Sequence, residues 1–231
     1  MDQSNVIVVN PVYGLCNRLR VMFSYWEYAK LQNKNLIVIW EVDDACPGFF
    51  LDYFEPVNGI NFVPKINDLN LKIDYSGFIW HPDFNPNKKF IYEDLTLKSN
   101  LRNRVTEKLK VLGEFIAIQV RRTDSIELAI RDNRFTTDEE FCAFINNNPS
   151  YNLFITADNK NSFDYFKNLY TDKVKLEFPE NDPTKLRHTS LEDSIVDMFV
   201  CTHAKYFKRS GYSSFGGTIE QLRLYYPQNT H

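Results

Sequence analysis

The sequence has few cysteines, and none of them is placed to bind a metal. Its four cysteines (Cys16, Cys46, Cys142 and Cys201) are scattered along 231 residues without a C-x-x-C pair. Cys201 precedes His203 by two residues, a spacing that suits neither face of a helix. We therefore expect reduced cysteines that hold no metal.

A large excess of charge of either sign is also lacking. The 27 Lys and Arg residues nearly balance the 30 Asp and Glu residues, which leaves a formal net charge of −3. Such a balance gives no general attraction to nucleic acid or to an anionic membrane surface. An anionic ligand would have to be bound by a local cluster of basic residues.

Long apolar runs are absent as well. No stretch approaches the roughly 18 apolar residues of a membrane-spanning helix. The first residues, MDQSNVIVVNPVYG, have neither the basic flank nor the apolar run of a signal peptide. We expect a cytoplasmic globular protein with no membrane span, and its 43% hydrophobic residues can form one sizeable core or two smaller ones.

The sequence does contain an alternation of apolar strands and amphipathic helices. In the first half, strands at residues 5–9 and 35–40 flank a helix at 16–32, and a helix at 97–113 closes this half. In the second half, strands at 115–120, 151–156, 173–178 and 204–208 are followed by helices at 137–146, 161–170, 190–202 and 213–224. Four successive strand–helix units predict a parallel sheet with helices on both faces. We predict an α/β fold of two lobes with a cleft between them.

Two adjacent arginines follow directly after the predicted buried strand at residues 115–120. Arg121 and Arg122 would lie at the carboxyl end of that strand, where open α/β proteins bind ligands. Paired guanidinium groups suit bidentate recognition of phosphate oxygens. The alternative is a surface pair neutralised by Asp124 and Glu127, and the position in a strand-to-helix loop favours the ligand site.

Hydroxyl groups and glycines begin the last predicted helix, in the segment YSSFGGT at residues 212–218. Free backbone N–H groups at a helix start favour an anion, although Ser213 or Ser214 could instead only cap the helix. A second strand-to-helix turn, VYGLCN at residues 12–17, contains Gly14. The segment at residues 212–218 does not have the pattern of a P-loop.

Two carboxylates stand out by their context. Asp158 closes the apolar segment LFITAD, and Asp197 lies inside the otherwise uncharged helical run SIVDMFVC. A buried carboxylate is costly unless it meets donors. Asp158 could therefore cap the following helix, and Asp197 could pair with a buried arginine.

Three segments resemble the C-terminal motifs of GDP-fucose-dependent fucosyltransferases in their order and approximate spacing. They are IAIQVRRTD, FITADN and RHTSLEDSIVDMFVCTHAKYFKRSGYSSFGG. The α1,6-fucosyltransferases and nodulation fucosyltransferases are the most similar, and the protein O-fucosyltransferases are more distant. The segment VYGLCNRLRVMFSYWEYA is similar to the N-terminal glycine turn and first helix of these enzymes, whereas residues 41–113 match nothing in them.

This resemblance implies a GT-B-like fold of two Rossmann-like lobes. Residues 1–112 would form the acceptor lobe, and residues 113–231 would bind the nucleotide sugar. The implied reaction is an inverting, metal-independent transfer of fucose from GDP-fucose to a glycan or protein acceptor, with no cofactor. The sequence independently contains no D-x-D motif, the carboxylate pair with which many glycosyltransferases hold a metal-bound diphosphate.

The resemblance also implies roles for individual residues. Arg121 and Arg122 would neutralise the leaving diphosphate, Glu127 would deprotonate the acceptor hydroxyl, and Asp197 would accept hydrogen bonds from guanine. Asp158 matches the first acid of the family's A-T-D-D motif, and Gln119 stands where relatives often have histidine. The donor contacts implied in this way are Gly14, Asn17, Arg18, Arg121, Arg122, Asp124, Asp158, Asp197, Tyr212, Ser213 and Ser214.

Two other functions remain open at this point. The chain could be a non-catalytic module that binds a nucleotide sugar, although a dead enzyme has no need to hold two like charges together. It could also be a glycosyltransferase of the same architecture that uses another nucleotide sugar. The aromatic residues Tyr13, Trp80, His81 and Phe84 could form a platform for a sugar ring, or could belong to the core or its rim.

Overall fold

The structure, a computed structural model, describes residues 3–65, 71–85, 91–124 and 126–225. The chain divides into two compact units, Met1–Lys98 and Ser99–His231. This division falls one helix earlier than the boundary predicted between residues 112 and 113. The predicted lobes, with their acceptor and donor roles, stay a prediction.

The elements are numbered along the chain. The strands are β1 (Val6–Pro11), β2 (Asn35–Ile39), β3 (Ile60–Val63), β4 (Tyr75–Gly77), β5 (Phe115–Val120), β6 (Asn152–Ala157) and β7 (Phe207–Arg209). The helices are α1 (Leu15–Leu31), α2 (Phe50–Tyr53), α3 (Ser99–Leu112), α4 (Ile126–Arg131), α5 (Asp138–Asn146), α6 (Lys160–Leu169), α7 (Leu191–Thr202) and α8 (Ser214–Tyr225), and a 3₁₀ helix spans Gln3–Asn5. None of the helices in the described residues is long and apolar enough to cross a membrane.

The first unit contains a parallel sheet with the strand order β3-β2-β1-β4. Val8 pairs with Ile37 in the register of β1 and β2, and both side chains are buried. Runs of β-branched residues favour such fully buried parallel strands. Helix α1 packs against β1 and β2, so the turn between β1 and α1 opens at the carboxyl end of this sheet.

The second unit contains a parallel sheet with the strand order β6-β5-β7. Because side chains alternate along a strand, each strand presents residues to both faces. One face of the sheet packs against α5 and α6, with a core that contains Ile116, Ile118, Val120, Phe141, Ile145, Leu153, Ile155, Phe163 and Phe166. Phe154 lies on the opposite face, where α3 and α7 contact β6. Helices on both faces were predicted from the sequence, and this prediction is confirmed.

The predicted strand at residues 173–178 is wrong. All six residues are described, and among them only Val174 forms a bridge, to Leu153 of β6. The segment contains no β-strand. Phe178 instead packs its ring 5.4 Å from the ring of Phe163 and joins the core. Pro179 comes next and cannot donate a ladder hydrogen bond. The alternating pattern of KVKLEF therefore reflects an edge segment that leaves the sheet after one bridge.

Candidate functional site

The loop after β5 places both arginines at the carboxyl end of the second sheet. The backbone N–H of Arg121 donates to Ser210 Oγ at 2.9 Å, and Ser210 follows β7, the strand next to β5. The backbone N–H of Arg122 donates to the carboxylate of Asp158, which follows β6 on the other side. The residues that directly follow the two neighbouring strands, Ser210 and Asp158, thus hold the first two residues of this loop.

Asp158 fixes the loop through hydrogen bonds rather than by capping a helix. Its Oδ2 accepts from the backbone N–H groups of Arg122 and Thr123, both at 3.0 Å, and from Thr123 Oγ1 at 2.6 Å. The predicted alternative, in which Asp158 caps α6, is wrong because Asn159 is the cap and accepts from the backbone N–H of Ser162. Asp158 therefore sets the path of the backbone that carries the arginines.

Arg121 forms a bidentate pair with Asp124. Its Nε and Nη2 donate to the two carboxylate oxygens at 2.8 and 2.7 Å, and its side chain is 17% exposed. The same carboxylate lies 3.9 Å from a guanidinium nitrogen of Arg187. The planar fork of Arg121 thus already holds a bidentate oxyanion, which is the geometry that a phosphate would require.

Arg122 is bound within its own unit from several sides. Its Nη2 donates to the carbonyl of Thr136 at 2.8 Å and to Asp138 at 2.7 Å, and its guanidinium lies 4.7 Å from the ring centre of Phe135. These contacts tie the loop after β5 to the segment before α5. Arg122 is therefore held more firmly than Arg121, whose side-chain hydrogen bonds all go to one partner within the described residues.

The start of α8 lies beside this loop. Ser213 is buried and its Oγ accepts from the backbone N–H of Gly216, so the capping role considered for Ser213 is confirmed. Tyr212, just before it, has the left-handed φ of 59°. An added Cβ at Gly217 would meet no atom within 4 Å, whereas at Gly216 it would come 2.7 Å from Gln119 Oε1. That oxygen is buried and has no hydrogen-bond partner among the described residues.

A shallow pocket gathers part of the predicted site. Among the predicted donor contacts it is lined by Arg121, Arg122, Asp124 and Tyr212. Other lining residues include Ile126, Ala129, Phe135, Thr136, Ser210 and Gly211. Asp158 acts on this pocket through the loop backbone. Glu127, the predicted base, lies in the first turn of α4 and is exposed.

Asp197 lies in an ionic ladder between α3 and α7. It is 3% exposed, and its Oδ1 accepts from Lys108 Nζ at 2.5 Å. Arg104, one turn earlier on α3, binds Glu192 and Asp193. Burial raises the pKa of the Asp197 carboxyl, and the neighbouring Lys108 ammonium opposes that rise. The partner of Asp197 is thus a lysine, which corrects the arginine considered above.

Three predicted donor contacts lie in the first unit, where β1 leads into α1: Gly14 in the turn, and Asn17 and Arg18 in the first turn of the helix. Gly14 is the N-cap of α1, and its carbonyl accepts from the backbone N–H of Asn17 at 2.9 Å. Arg18 is 1% exposed, and it donates to the carbonyls of Tyr13 and Glu41 and, at 2.7 Å, to Asp43. Arg18 therefore holds this turn from inside the unit.

Comparisons with known proteins bear on the fold. No family model matches the chain, and no curated protein matches its sequence significantly. A solved structure of NodZ alpha-1,6-fucosyltransferase soaked with GDP-fucose matches with a TM-score of 0.66 at 16% identity, over 94% of this chain and 92% of that chain. Fucosyltransferase NodZ from Bradyrhizobium matches with 0.66 at 14% identity, over 93% and 91%. POFUT1 in complex with GDP-fucose matches with 0.64 at 11% identity, over 96% and 95%.

This chain has the fucosyltransferase fold. The resemblance found in the sequence motifs is thereby confirmed at the level of the fold, together with the predicted GT-B-like α/β class and its parallel sheets. The matches extend over 94% of the chain, so they include most of residues 41–113, where the sequence resembled nothing.

Two polar residues beside the arginine loop had no predicted role. Thr136 is buried, and its Oγ1 accepts from the backbone N–H of Gly211 at 2.9 Å. Ser210, also buried, accepts from Arg121 as described above. The Ser-Gly pair after the predicted strand at 204–208 was a usable signal for this turn, but no pattern pointed to Thr136.

Within the described residues, no cluster of three His, Cys, Asp or Glu side chains could hold a metal.

Proposed function

We propose that this protein is a fucosyltransferase that transfers fucose from GDP-fucose to an acceptor hydroxyl with inversion and without a metal. One observation carries the proposal. The Arg121–Arg122 loop lies at the carboxyl end of β5 and is held there by Asp158 and Ser210. The fold match to fucosyltransferases solved with GDP-fucose supports the choice of donor.

Arg121 would act on the leaving group. Its guanidinium would exchange the carboxylate of Asp124 for diphosphate oxygens when the donor binds, because both partners take the same bidentate geometry. As the glycosidic bond breaks, the diphosphate gains charge, so this contact is stronger in the transition state than in the ground state. Arg122, bound to Thr136 and Asp138, would keep the loop in place.

Asp197 retains one acceptor for the base of the nucleotide. Lys108 donates to Oδ1 only, and Oδ2 accepts no hydrogen bond from the described residues. We propose that Oδ2 accepts from the N1–H or the exocyclic amine of guanine, and that Lys108 keeps the carboxylate ionised. An ionised Asp197 would favour guanine over adenine, because neutral adenine has no N1–H to donate to the carboxylate.

Calorimetric titration of the whole protein with GDP, UDP and ADP tests the donor. We expect GDP to bind at least about tenfold more tightly than UDP or ADP, which corresponds to about 1.4 kcal/mol. Tightest binding of UDP or ADP would instead support a glycosyltransferase with another donor. GDP binding without release of GDP from GDP-fucose, in the presence of an acceptor panel, would support a non-catalytic binding module. In an active enzyme, NMR of the product should show an inverted anomeric carbon.

A further inference from the structure

A group of exposed apolar side chains lies at the carboxyl end of the first sheet. Tyr13, after β1, is 55% exposed, and Phe78 and Ile79, directly after β4, are 41% and 59% exposed. Strands β1 and β4 are parallel neighbours, with Pro11 paired to Gly77, so their carboxyl ends meet. We refer to Tyr13, Phe78 and Ile79 as the aromatic platform. Large side chains left exposed together mark an interaction site more often than single ones do.

The platform is held in place by contacts along α1. The rings of Tyr13 and Phe78 meet edge to face at 5.1 Å. Farther along the same segment, the backbone N–H of His81 donates to Ser24 Oγ at 2.9 Å, and the His81 ring stacks on Tyr28 at 4.0 Å. The segment after β4 therefore packs along one face of α1. These contacts order the platform before any ligand binds.

Tyr13 has a conformation that its residue type rarely adopts. Its φ is 67°, in the left-handed region that favours glycine. The carbonyl of Tyr13 accepts from Nε of the buried Arg18 at 2.6 Å, which holds this backbone from inside the unit. Strained residues that the surroundings keep in place are concentrated at binding and active sites. Here the strain presents a tyrosine ring to solvent beside a second aromatic ring.

Arg20 supplies an unused donor next to the platform. Its guanidinium lies 5.5 Å from the ring centre of Trp80, two residues after Phe78, and the Trp80 ring also stacks with Phe84. Its Nε is buried without a hydrogen-bond partner. No hydrogen bond or ion pair to the Arg20 side chain occurs within the described parts of the chain. A buried donor without an acceptor is costly, so a ligand oxygen at this position would be favoured.

We propose that the aromatic platform and Arg20 bind a saccharide, and that the acceptor of the proposed transfer reaction is therefore a glycan. The C–H groups on the apolar face of a pyranose carry partial positive charge and pack on the negative face of an aromatic ring. The hydroxyl groups at the sugar's edge accept from a guanidinium. The assignment as an acceptor site rests on the proposed function, and Asn17, a predicted donor contact, lies on α1 between Tyr13 and Arg20 in the sequence.

The test uses the whole protein and a printed array of oligosaccharides, probed in the presence of saturating GDP. The oligosaccharide that binds best is then titrated by calorimetry against three variants. Phe78→Ala removes a platform ring, Tyr13→Gly removes the other ring while permitting the left-handed backbone, and Arg20→Met removes the donor. Tyr165→Ala is the control, since Tyr165 is 46% exposed and lies in the second unit.

We expect each of the three variants to weaken oligosaccharide binding by about tenfold or more, while Tyr165→Ala and the original chain bind equally. Two results would overturn the proposal: no oligosaccharide on the array binds, or one binds and the three variants leave its affinity unchanged. A failure of the proposed function can be distinguished from these two results, because in that case GDP would bind no more tightly than UDP or ADP in the nucleotide titration. If the protein binds the oligosaccharide but not GDP, the saccharide site is supported and the proposed fucosyltransferase activity is refuted.

Discussion

Replacing Asp158 separates a role in holding the arginine loop from a role in contacting the donor. Three donors of the loop converge on Asp158 Oδ2: the backbone N–H groups of Arg122 and Thr123, and Thr123 Oγ1. Hydrogen bonds to a charged acceptor contribute about 1.5–3 kcal/mol each when buried. The residues involved are only half-buried, so water can replace part of what is lost. We expect Asp158→Ala to lower the free energy of unfolding by about 3 kcal/mol.

Asp158→Asn should have a smaller effect. The amide oxygen of asparagine can occupy the position of Oδ2 and accept from the same donors, but it carries no charge. Since charge-assisted hydrogen bonds are roughly twice as strong as neutral ones, we expect a loss of about 1 kcal/mol. Asp164→Ala is a matched control, because among the described residues the Asp164 side chain pairs only with Lys160, one turn away on α6, and this pair should contribute about 0.5 kcal/mol or less.

Urea unfolding of the four proteins, followed by circular dichroism, measures these differences, and GDP titration of the folded variants measures the site. If Asp158 holds the loop, stability and GDP affinity should fall together, in the order Asn then Ala. Weaker GDP binding in Asp158→Ala, with a stability equal to that of Asp164→Ala, would refute the reasoning. It would show that Asp158 contacts the donor and does not position the loop.

Three further predictions concern other parts of the proposed site. Arg121→Ala should fold but lose at least about a hundredfold in kcat, and Arg121→Lys should recover little because an ammonium lacks the planar fork. Lys108→Met should destabilise the protein by about 3 kcal/mol at pH 7 by leaving the buried Asp197 carboxylate unpaired, whereas Lys108→Met with Asp197→Leu should restore most of that loss. In Lys108→Met the folded-state pKa of Asp197 stays above its unfolded value, so the folded protein takes up the proton first and the deficit should shrink as pH falls through that raised pKa. Turnover should be unchanged by EDTA.

Each of these has a simple contrary outcome. Near-normal turnover in Arg121→Ala, measured beside the exposed control Arg131→Ala, would show that Arg121 has no catalytic role and that the arginine pair is a surface charge cluster. A deficit in Lys108→Met that does not change between pH 7 and pH 5 would mean that Asp197 is not the group left unpaired. Dependence of turnover on Mn²⁺ or Mg²⁺ would contradict the mechanism, in which guanidinium groups neutralise the diphosphate.

Sequence patterns located most elements that are long and continuously apolar. Strand β5 was predicted with the bounds that the structure has, because FIAIQV is apolar at nearly every position and glycine and charge flank it. Strand β4 and helix α4 were missed, since three and six residues are too few to display a period. The strand predicted at residues 173–178 was wrong for a different reason. Its side chains alternate as in a strand, but only one of its residues, Val174, pairs with the sheet.

The site was predicted in its residue types more than in its contacts. The arginines could be placed because any residue after a parallel strand lies at the ligand-binding edge. The partners of Asp158 lie about 35 residues away along the chain, and the partner of Asp197 lies 89 residues away. Local patterns carry no information at such separations, so a capping role and an arginine partner were reasonable hypotheses that only the packing of α3 and the β5 loop could correct.

The ladder between α3 and α7 also determines where this protein can be cut. A fragment that begins at residue 113, the boundary suggested by the sequence, would lack Arg104 and Lys108 and keep their acidic partners on α7. Three carboxylates would then repel one another along one helical stripe, with Asp197 among buried apolar side chains. A fragment that begins before Ser99 keeps the cations with the anions. The charges on α3 therefore make that helix the first part of the C-terminal half, and any chimera between relatives should exchange the two helices together.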